Sequence, residues 1–384
     1  MKNILISGYY GSRNSGDEAI LTAMLEALRE EDDDLHFTVI SQNPAYTKKR
    51  HNVDSVEYLD IFSTIPKIIA ADLLISGGGS LLQNVTSSRS LYYYLGIIFL
   101  AKIFGCKIML YAQGIGPVRG VIANFMMKLI LNHVDLITVR DKGSLEELQR
   151  LKITRPQIFC TADPVLAFNP VPLDEGKKIL SRHSPTNPNS STPKIGVAVR
   201  QCHVGVDNKK IGVAVRRWID WDNCQRELAA ALDKLSDELN AEIIFLPMQF
   251  PEDVKASESI SALMKNPAVV IDEELLTAQM MSLAGCMDVL ISIRLHAMIF
   301  AEVMDVPIVG ISYDPKIDRF LDSIDEKPVA TLNDITAQII FDETLKKLRV
   351  NKKFDAVKQN LKYELRMLAV ENAQLAISLL EDEG

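Results

Sequence analysis

The sequence lacks the cysteine and histidine groupings that define a disulfide or metal scaffold. Cys106, Cys160, Cys202, Cys224 and Cys286 are scattered, odd in number and without a C-x-x-C. That excludes a disulfide framework and points to small core residues in a reducing compartment. The six histidines show no ligand spacing and H-E-x-x-H is missing, so no metal is expected. Also missing are G-x-G-x-x-G, the Walker A pattern and G-x-S-x-G, which excludes a standard dinucleotide loop, a P-loop and a hydrolase elbow. There is no excess of positive charge: 42 Lys and Arg stand against 50 Asp and Glu, a net charge of −8. A general nucleic-acid binder is therefore excluded, and an anionic ligand needs a local cluster of cations. No apolar run is both long and uninterrupted. Leu91 to Tyr111 comes nearest, but Gly96, Lys102, Gly105 and Lys107 break it, and a spanning helix needs about 20 apolar residues. The segment reads as a helix to about Phe104, a stop at Gly105 and a strand at Lys107–Ala112. That helix either enters the core or touches a bilayer surface through Tyr92–Tyr94 and its aliphatic face. Met1-Lys2 leads directly into a strand-like segment, so no leader peptide is expected.

What is present suggests two domains in 384 residues. Apolar residues at 47% and charged residues at 24% are ordinary globular values. Strand-like segments at Asn3–Ser7, His36–Ile40, Asp72–Ser76, Lys107–Ala112 and Leu136–Val139 alternate with helical spacing. This predicts a parallel α/β sheet covered on both faces, with ligands beyond the carboxyl ends of the strands. Asn169 to Pro193, with five prolines and the run TNPNSST, reads as a linker or loop. Alternation then resumes, and Lys352–Glu381 reads as a long amphipathic helix, broken at most once. The heptapeptide KIGVAVR occurs at Lys194–Arg200 and again at Lys210–Arg216. The second copy, followed by Arg217-Trp218, is expected to be the sheet strand.

Three glycine loops follow strands. GYYGSRNSGDEAI (Gly8–Ile20) ends in a helix that Asn14 or Ser15 can cap, with Asp17 and Glu18 in its first turn. SGGGS (Ser76–Ser80) precedes a helix expected from near Leu81, with Gln83 in its first turn, so backbone and free N–H groups would face a ligand. AQGIGPVRG (Ala112–Gly120) is the third. Arg140 ends a strand and either pairs with Asp141 or another neighbour or acts as an anion clamp, and Ser144 with Glu147 suggests a capping box. In Asp288–Asp322 a buried strand leads to Arg294 and His296 at a helix start, and Lys316 follows the next strand. Cation, imidazole and helix N–H groups suit phosphate or carboxylate, and a histidine there can donate a proton near neutral pH.

The segments GYYGSRNSGDEAI, ISGGGSLLQ, YAQGIGPV, ITVRDKGS and ISIRLHAMIFA together resemble the polysaccharide pyruvyl transferases, nearest their cell-wall ketal-pyruvyltransferase branch. The resemblance spans most of Met1 to Asp322. It implies two Rossmann-like α/β domains facing across a cleft, as in type B glycosyltransferases, with the C-terminal helix packed back on the first. The expected division is 1–168 (acceptor side), 169–193 (linker or loop), 194–350 (donor side) and 351–384 (helical). Phosphoenolpyruvate would be the donor. Its enolpyruvyl unit would pass to two hydroxyls of a sugar, N-acetylmannosamine of a lipid-linked secondary cell-wall polysaccharide precursor, giving a ketal and phosphate. The product would anchor surface-layer proteins, and the enzyme would be cytoplasmic, at the inner face of the membrane, with no cofactor. The resemblance implies Arg140, Arg294, Leu295, His296 and Lys316 on the donor, and Arg13, Asn14, Asp17, Gly78, Gly79, Gln83 and Gln113 on the acceptor. Catalysis would rest on His296 as proton donor or phosphate ligand, Arg294, and Asp17 as a base. A sugar-nucleotide glycosyltransferase of the same fold and a non-catalytic polysaccharide binder are the alternatives. The duplicated heptapeptide departs from the family pattern and leaves one strand end open between Arg200 and Arg216.

Overall fold

The computed structural model describes residues 2–85, 87–201, 221–349 and 356–382. The chain divides into two units, 1–168 with 356–384, and 169–355. In the first, seven strands form one parallel sheet: β1 (Lys2–Tyr10), β2 (Leu35–Ser41), β3 (Asp54–Glu57), β4 (Leu73–Ser76), β5 (Lys107–Gln113), β6 (Leu136–Val139) and β7 (Gln157–Cys160). Their order is β3-β2-β1-β4-β5-β6-β7. The connecting helices are α1 (Ser15–Glu31), α2 (Pro44–His51), α3 (Ile61–Ile69), α4 (Ser88–Ile103), α5 (Val121–Leu131) and α6 (Lys142–Arg150). Central β4, with the sequence LLIS, is buried throughout, as a strand between two helical layers must be.

The second unit repeats the scheme with α7 (Asp174–His183), β8 (Lys194–Ala198), α8 (Trp221–Leu239), β9 (Glu242–Phe245), α9 (Glu252–Ser261), β10 (Ala268–Val270), α10 (Thr277–Gly285), β11 (Val289–Ser292), α11 (Leu295–Val303), β12 (Ile308–Ser312), α12 (Pro315–Ser323), β13 (Ala330–Thr331) and α13 (Ala337–Arg349). Its parallel sheet runs β10-β9-β8-β11-β12-β13. Both sheets are Rossmann-like. In each, the strand order reverses once, between β1 and β4 and between β8 and β11. At such a reversal the connections diverge to opposite faces and leave a crevice at the carboxyl ends of the strands.

The last helix, α14 (Ala356–Glu381), is continuous and packs on α1 and β5 of the first unit. Asn372, fully buried, fastens it. Its Oδ1 accepts from the hydroxyls of Thr138 (2.6 Å) and Thr161 (2.8 Å), and its Nδ2 donates to the carbonyl of Ala162 (3.3 Å).

Several expectations are corrected. The first KIGVAVR copy supplies a sheet strand, β8, where only the second was expected to. Flanking contacts anchor it: Lys194 N donates to Asp288 Oδ2 (2.8 Å), and Glu242 N donates to the Pro193 carbonyl (2.8 Å). The second copy lies outside the described residues. The stretch 169–193 contains α7, whose Gly176 N donates to Ser282 Oγ on α10 (2.9 Å). Its prolines flank that helix without entering it. No helix begins near Leu81: residues 81–85 are irregular and α4 starts at Ser88, capped by Ser87. The cap of α6 is Asp141, which accepts from Ser144 N (2.7 Å).

Candidate active site

In the first unit the three glycine loops follow β1, β4 and β5, and they are built by enclosed polar side chains. Asn14 caps α1, accepting from Gly16 N at 3.0 Å. Glu18 is fully buried, and its carboxylate accepts from Gly11 N (2.9 Å) and lies 2.7 Å from His51 Nε2. This clamp ties the first loop to α2. It leaves Arg13 exposed, in a left-handed conformation (φ 59°) and 5.9 Å from the Tyr46 ring centre. Asp17 is half-buried and points toward the second loop: a methyl on Gly79 would stand 3.4 Å from its Oδ1. Burial, and then the Asp17 carboxylate, push the Tyr10 hydroxyl well above its ordinary pKa.

The second and third loops are stitched together. Gly79, at φ 94°, gives its carbonyl to Gly114 N (2.7 Å) and to Gln113 Nε2 (2.9 Å). Ser144 Oγ accepts from Ile115 N (2.9 Å) and Glu147 Oε1 from Val118 N (3.0 Å). These two residues hold the third loop, which is why Asp141 has the capping role expected of Ser144. Gln83 Oε1 accepts from Val85 N (2.8 Å), and its Cβ sits where a methyl on Gly116 would be, 2.4 Å away. Arg140 is a brace: its guanidinium, almost wholly buried, pairs with Asp163 at 2.7 Å and donates to Ser80 Oγ at 3.0 Å. Asp163 is thus the partner of Arg140, in place of the adjacent Asp141. Gly78 and Gly79 are buried, and Gln113 is fully enclosed. Arg13, Asn14, Asp17 and Gln83 are therefore the accessible members of the expected acceptor set, and Gln113 and Arg140 shape the loops from beneath.

In the second unit, four strands deliver the chemistry to one sheet edge. Arg200 follows β8, Asp253 lies in the first turn of the helix after β9, Arg294 and His296 follow β11, and Tyr313, Asp314 and Lys316 follow β12. Ser292 Oγ accepts from Arg294 N (2.9 Å), which fixes the turn into α11. Arg294 Nη2 donates to Asp253 Oδ1, while Asp253 Oδ2 accepts from Met248 N (3.2 Å) and Gln249 N (3.0 Å). His296 is half-buried in the first turn of α11, and Leu295 is buried beside it. Arg200 donates to the Tyr313 hydroxyl (3.2 Å), and the Lys316 ammonium lies 5.9 Å from the centre of that ring and 3.5 Å from Asp314. Three cations and an imidazole thus share an edge at the strand-order reversal. Asp253 and Tyr313 were not identified by sequence reasoning. The available signal for Asp253 was an acid in a helix's first turn immediately after a strand, which is too common to single out.

A model of polysaccharide pyruvyl transferases matches residues 14–315. The chain belongs to this family. The matched span begins inside the first glycine loop, at Asn14, and takes in the second and third loops, the Arg140–Asp163 pair and the Arg294–His296 turn, so it reaches into both units. No curated protein matches the sequence. Among solved structures, the chain is similar to the UDP-GlcNAc 2-epimerase of Methanocaldococcus jannaschii (10% identity, 98% of this chain and 100% of that one, TM-score 0.66). It is also similar to the S. aureus MnaA–UDP co-structure (12%, 100% and 99%, TM-score 0.62) and a glycosyltransferase from Rickettsia africae (11%, 99% and 95%, TM-score 0.58). At these identities the likeness is one of fold, the two-Rossmann type of the B-class glycosyltransferases. Among the described residues, no helix is long and apolar enough to cross a membrane.

Proposed function

We propose that this pyruvyl transferase takes phosphoenolpyruvate as donor and builds a cyclic pyruvate ketal on two hydroxyls of one sugar of a lipid-linked cell-wall glycan precursor, N-acetylmannosamine being the acceptor favoured by the sequence resemblance. The observation that carries this is the grouping of Arg200, Arg294, His296 and Lys316 at one sheet edge of a chain with net charge −8. Phosphoenolpyruvate carries a phosphate and a carboxylate, and cations beside helix N–H groups suit both anions. Protonation of its methylene carbon makes a methyl group and leaves an oxocarbenium-like centre at C2. One sugar hydroxyl adds to C2. The second displaces phosphate with cleavage of the C2–O bond, and its proton leaves with the phosphate. His296 is the proton donor in this scheme, Arg294 holds the departing phosphate, and Asp17 is the base for the incoming hydroxyl. Arg13, Asn14 and Gln83 hold the acceptor. No metal or cofactor is assigned.

The test is acceptor-dependent phosphate release from phosphoenolpyruvate across a panel of lipid-linked disaccharides. His296→Ala is expected to lower turnover by about 10²–10⁴-fold. Thermal stabilisation by UDP and none by phosphoenolpyruvate would overturn the donor assignment in favour of a sugar nucleotide.

A further inference from the structure

α3, α4 and α5 lie side by side against one face of the first sheet. Their inner residues, among them Ile68, Leu95 and Met127, belong to the core. Their outer residues are as apolar as the inner ones. Phe62 is 93% exposed, Val121 86% and Ile122 71%, and Phe99, Ile103 and Phe125 are all more than half exposed. Single exposed apolar residues are unremarkable, but a continuous band across three neighbouring helices marks an interaction surface.

Charge narrows the partner. None of the three helices contains an Asp or Glu, while Lys67, Arg89, Lys102 and Lys128 lie on them. This is the reverse of the chain as a whole, with its net charge of −8. The flanking acids are engaged locally: Asp60 caps α3, accepting from Phe62 N (3.1 Å), and Asp135 pairs with Lys102 (3.0 Å). A second copy seated on this face would put cations against the same cations across a two-fold axis, because such an interface is self-complementary. Apolar tips among lysines with no acids suit an anionic lipid interface.

Position adds a second argument. Phe62, Val121 and Ile122 sit in the first turns of α3 and α5. Helices that follow parallel strands begin at the carboxyl edge of the sheet, where the glycine loops open. The most exposed part of the band therefore rims the acceptor loops, with Val121 directly after the third loop. The tyrosine cluster expected to make such contacts contributes little. Tyr93 donates to the Tyr58 carbonyl (3.0 Å) and packs on Tyr58 and Tyr94, and only Tyr92 is exposed.

We infer that the outer face of α3, α4 and α5 docks in the interface of an anionic lipid bilayer, with the rim of the acceptor loops turned toward the lipid. The docking stands on exposure and charge. Its consequence, delivery of a lipid-borne sugar to those loops, rests on the proposed reaction.

The test is co-sedimentation of the full chain with vesicles of phosphatidylcholine alone or mixed with phosphatidylglycerol, with neither donor nor acceptor present. Binding is expected to the anionic vesicles and to weaken as salt rises. Phe62→Ser or Ile122→Ser should reduce it about tenfold or more, since each removes one side chain's transfer free energy. Lys67→Glu with Lys128→Glu should weaken binding to anionic vesicles specifically, and all these variants should keep the parent melting temperature. Absence of binding by the parent chain, or unchanged binding by the variants, overturns the inference. So does a parent dimer, seen by light scattering, that Phe62→Ser converts to monomer without any vesicle binding. Phosphate release is not read in this assay, so failure of the proposed reaction leaves its outcome unaffected.

Discussion

Replacing Asp253 by Asn removes one charge from a buried ion pair and leaves its shape. The parent carboxylate is 1% exposed and takes three donors: Arg294 Nη2, Met248 N and Gln249 N. In the variant the guanidinium loses its counter-charge while staying enclosed, and the new amide NH2 faces a group that also donates. Breaking one side of a buried pair costs about 3–5 kcal/mol, because the remaining charge is left unpaired. At about 2–4 °C per kcal/mol for a unit of this size, that is a fall of about 6–20 °C in melting temperature. Calorimetry is the suitable assay, since a chain of two units need not melt in one step and the affected transition must be followed by itself. The same logic fixes the double variant. With Arg294→Met added, no charge is left unpaired, so the combined loss should fall short of the sum of the single losses by about 2–3 kcal/mol. If Asp253→Asn costs under about 1 kcal/mol, or if the two losses simply add, the pair is not what holds the Arg294 turn.

Three further outcomes are expected. A methyl on Gly77 would lie 2.1 Å from the Tyr10 hydroxyl, so Gly77→Ala should cost about 1–3 kcal/mol. Tyr10→Phe should recover part of that loss and be near neutral alone, since among the described residues the hydroxyl is buried without a hydrogen-bond partner; chemical denaturation measures all three variants. Asn372→Ala leaves the hydroxyls of Thr138 and Thr161 only their longer bonds to the Leu110 (3.3 Å) and Val139 (3.4 Å) carbonyls and should cost about 1–3 kcal/mol, with faster proteolytic cleavage in α14 than in the parent as the readout. Burial pushes the Cys106 and Cys286 thiols up to about 11. Site-resolved alkylation of the native protein should therefore be slow at both near pH 7 and accelerate about tenfold per pH unit, as the thiolate fraction rises; fast labelling of Cys106 at neutral pH would contradict its placement.

The strand–helix alternation was legible because buried parallel strands are short, continuous apolar runs: LLIS, VLIS and IVGIS announce themselves. The edge strands β3 and β7 escaped notice, since DSVE and QIFC are half-exposed and carry polar residues. The glycine loops and the Arg294–His296 turn were visible as breaks immediately after strands. What holds them was not visible. Glu18 meets His51 across 33 residues, Asp253 meets Arg294 across 41, and Thr138 meets Asn372 across 234. A charge looks the same in the sequence whether it faces water or closes a buried pair, and only the folded chain brings the partners together. Arg140 shows the limit: sequence left it either clamp or partner, and Asp163 with Ser80 gives it the bracing role.

The return of α14 to the first unit has a consequence for biosynthesis. The ribosome completes β1 through β7 and then makes the whole second unit before Asn372 emerges, 234 residues after Thr138. At synthesis rates of about 5–20 residues per second, that delay is on the order of tens of seconds. Throughout it, the groove on α1 and β5 and the hydroxyls of Thr138 and Thr161 lack their final cover. A nascent chain can form both sheets yet leave the first unsealed, so a chain cut short before residue 356 carries an open apolar groove that quality-control chaperones can recognise.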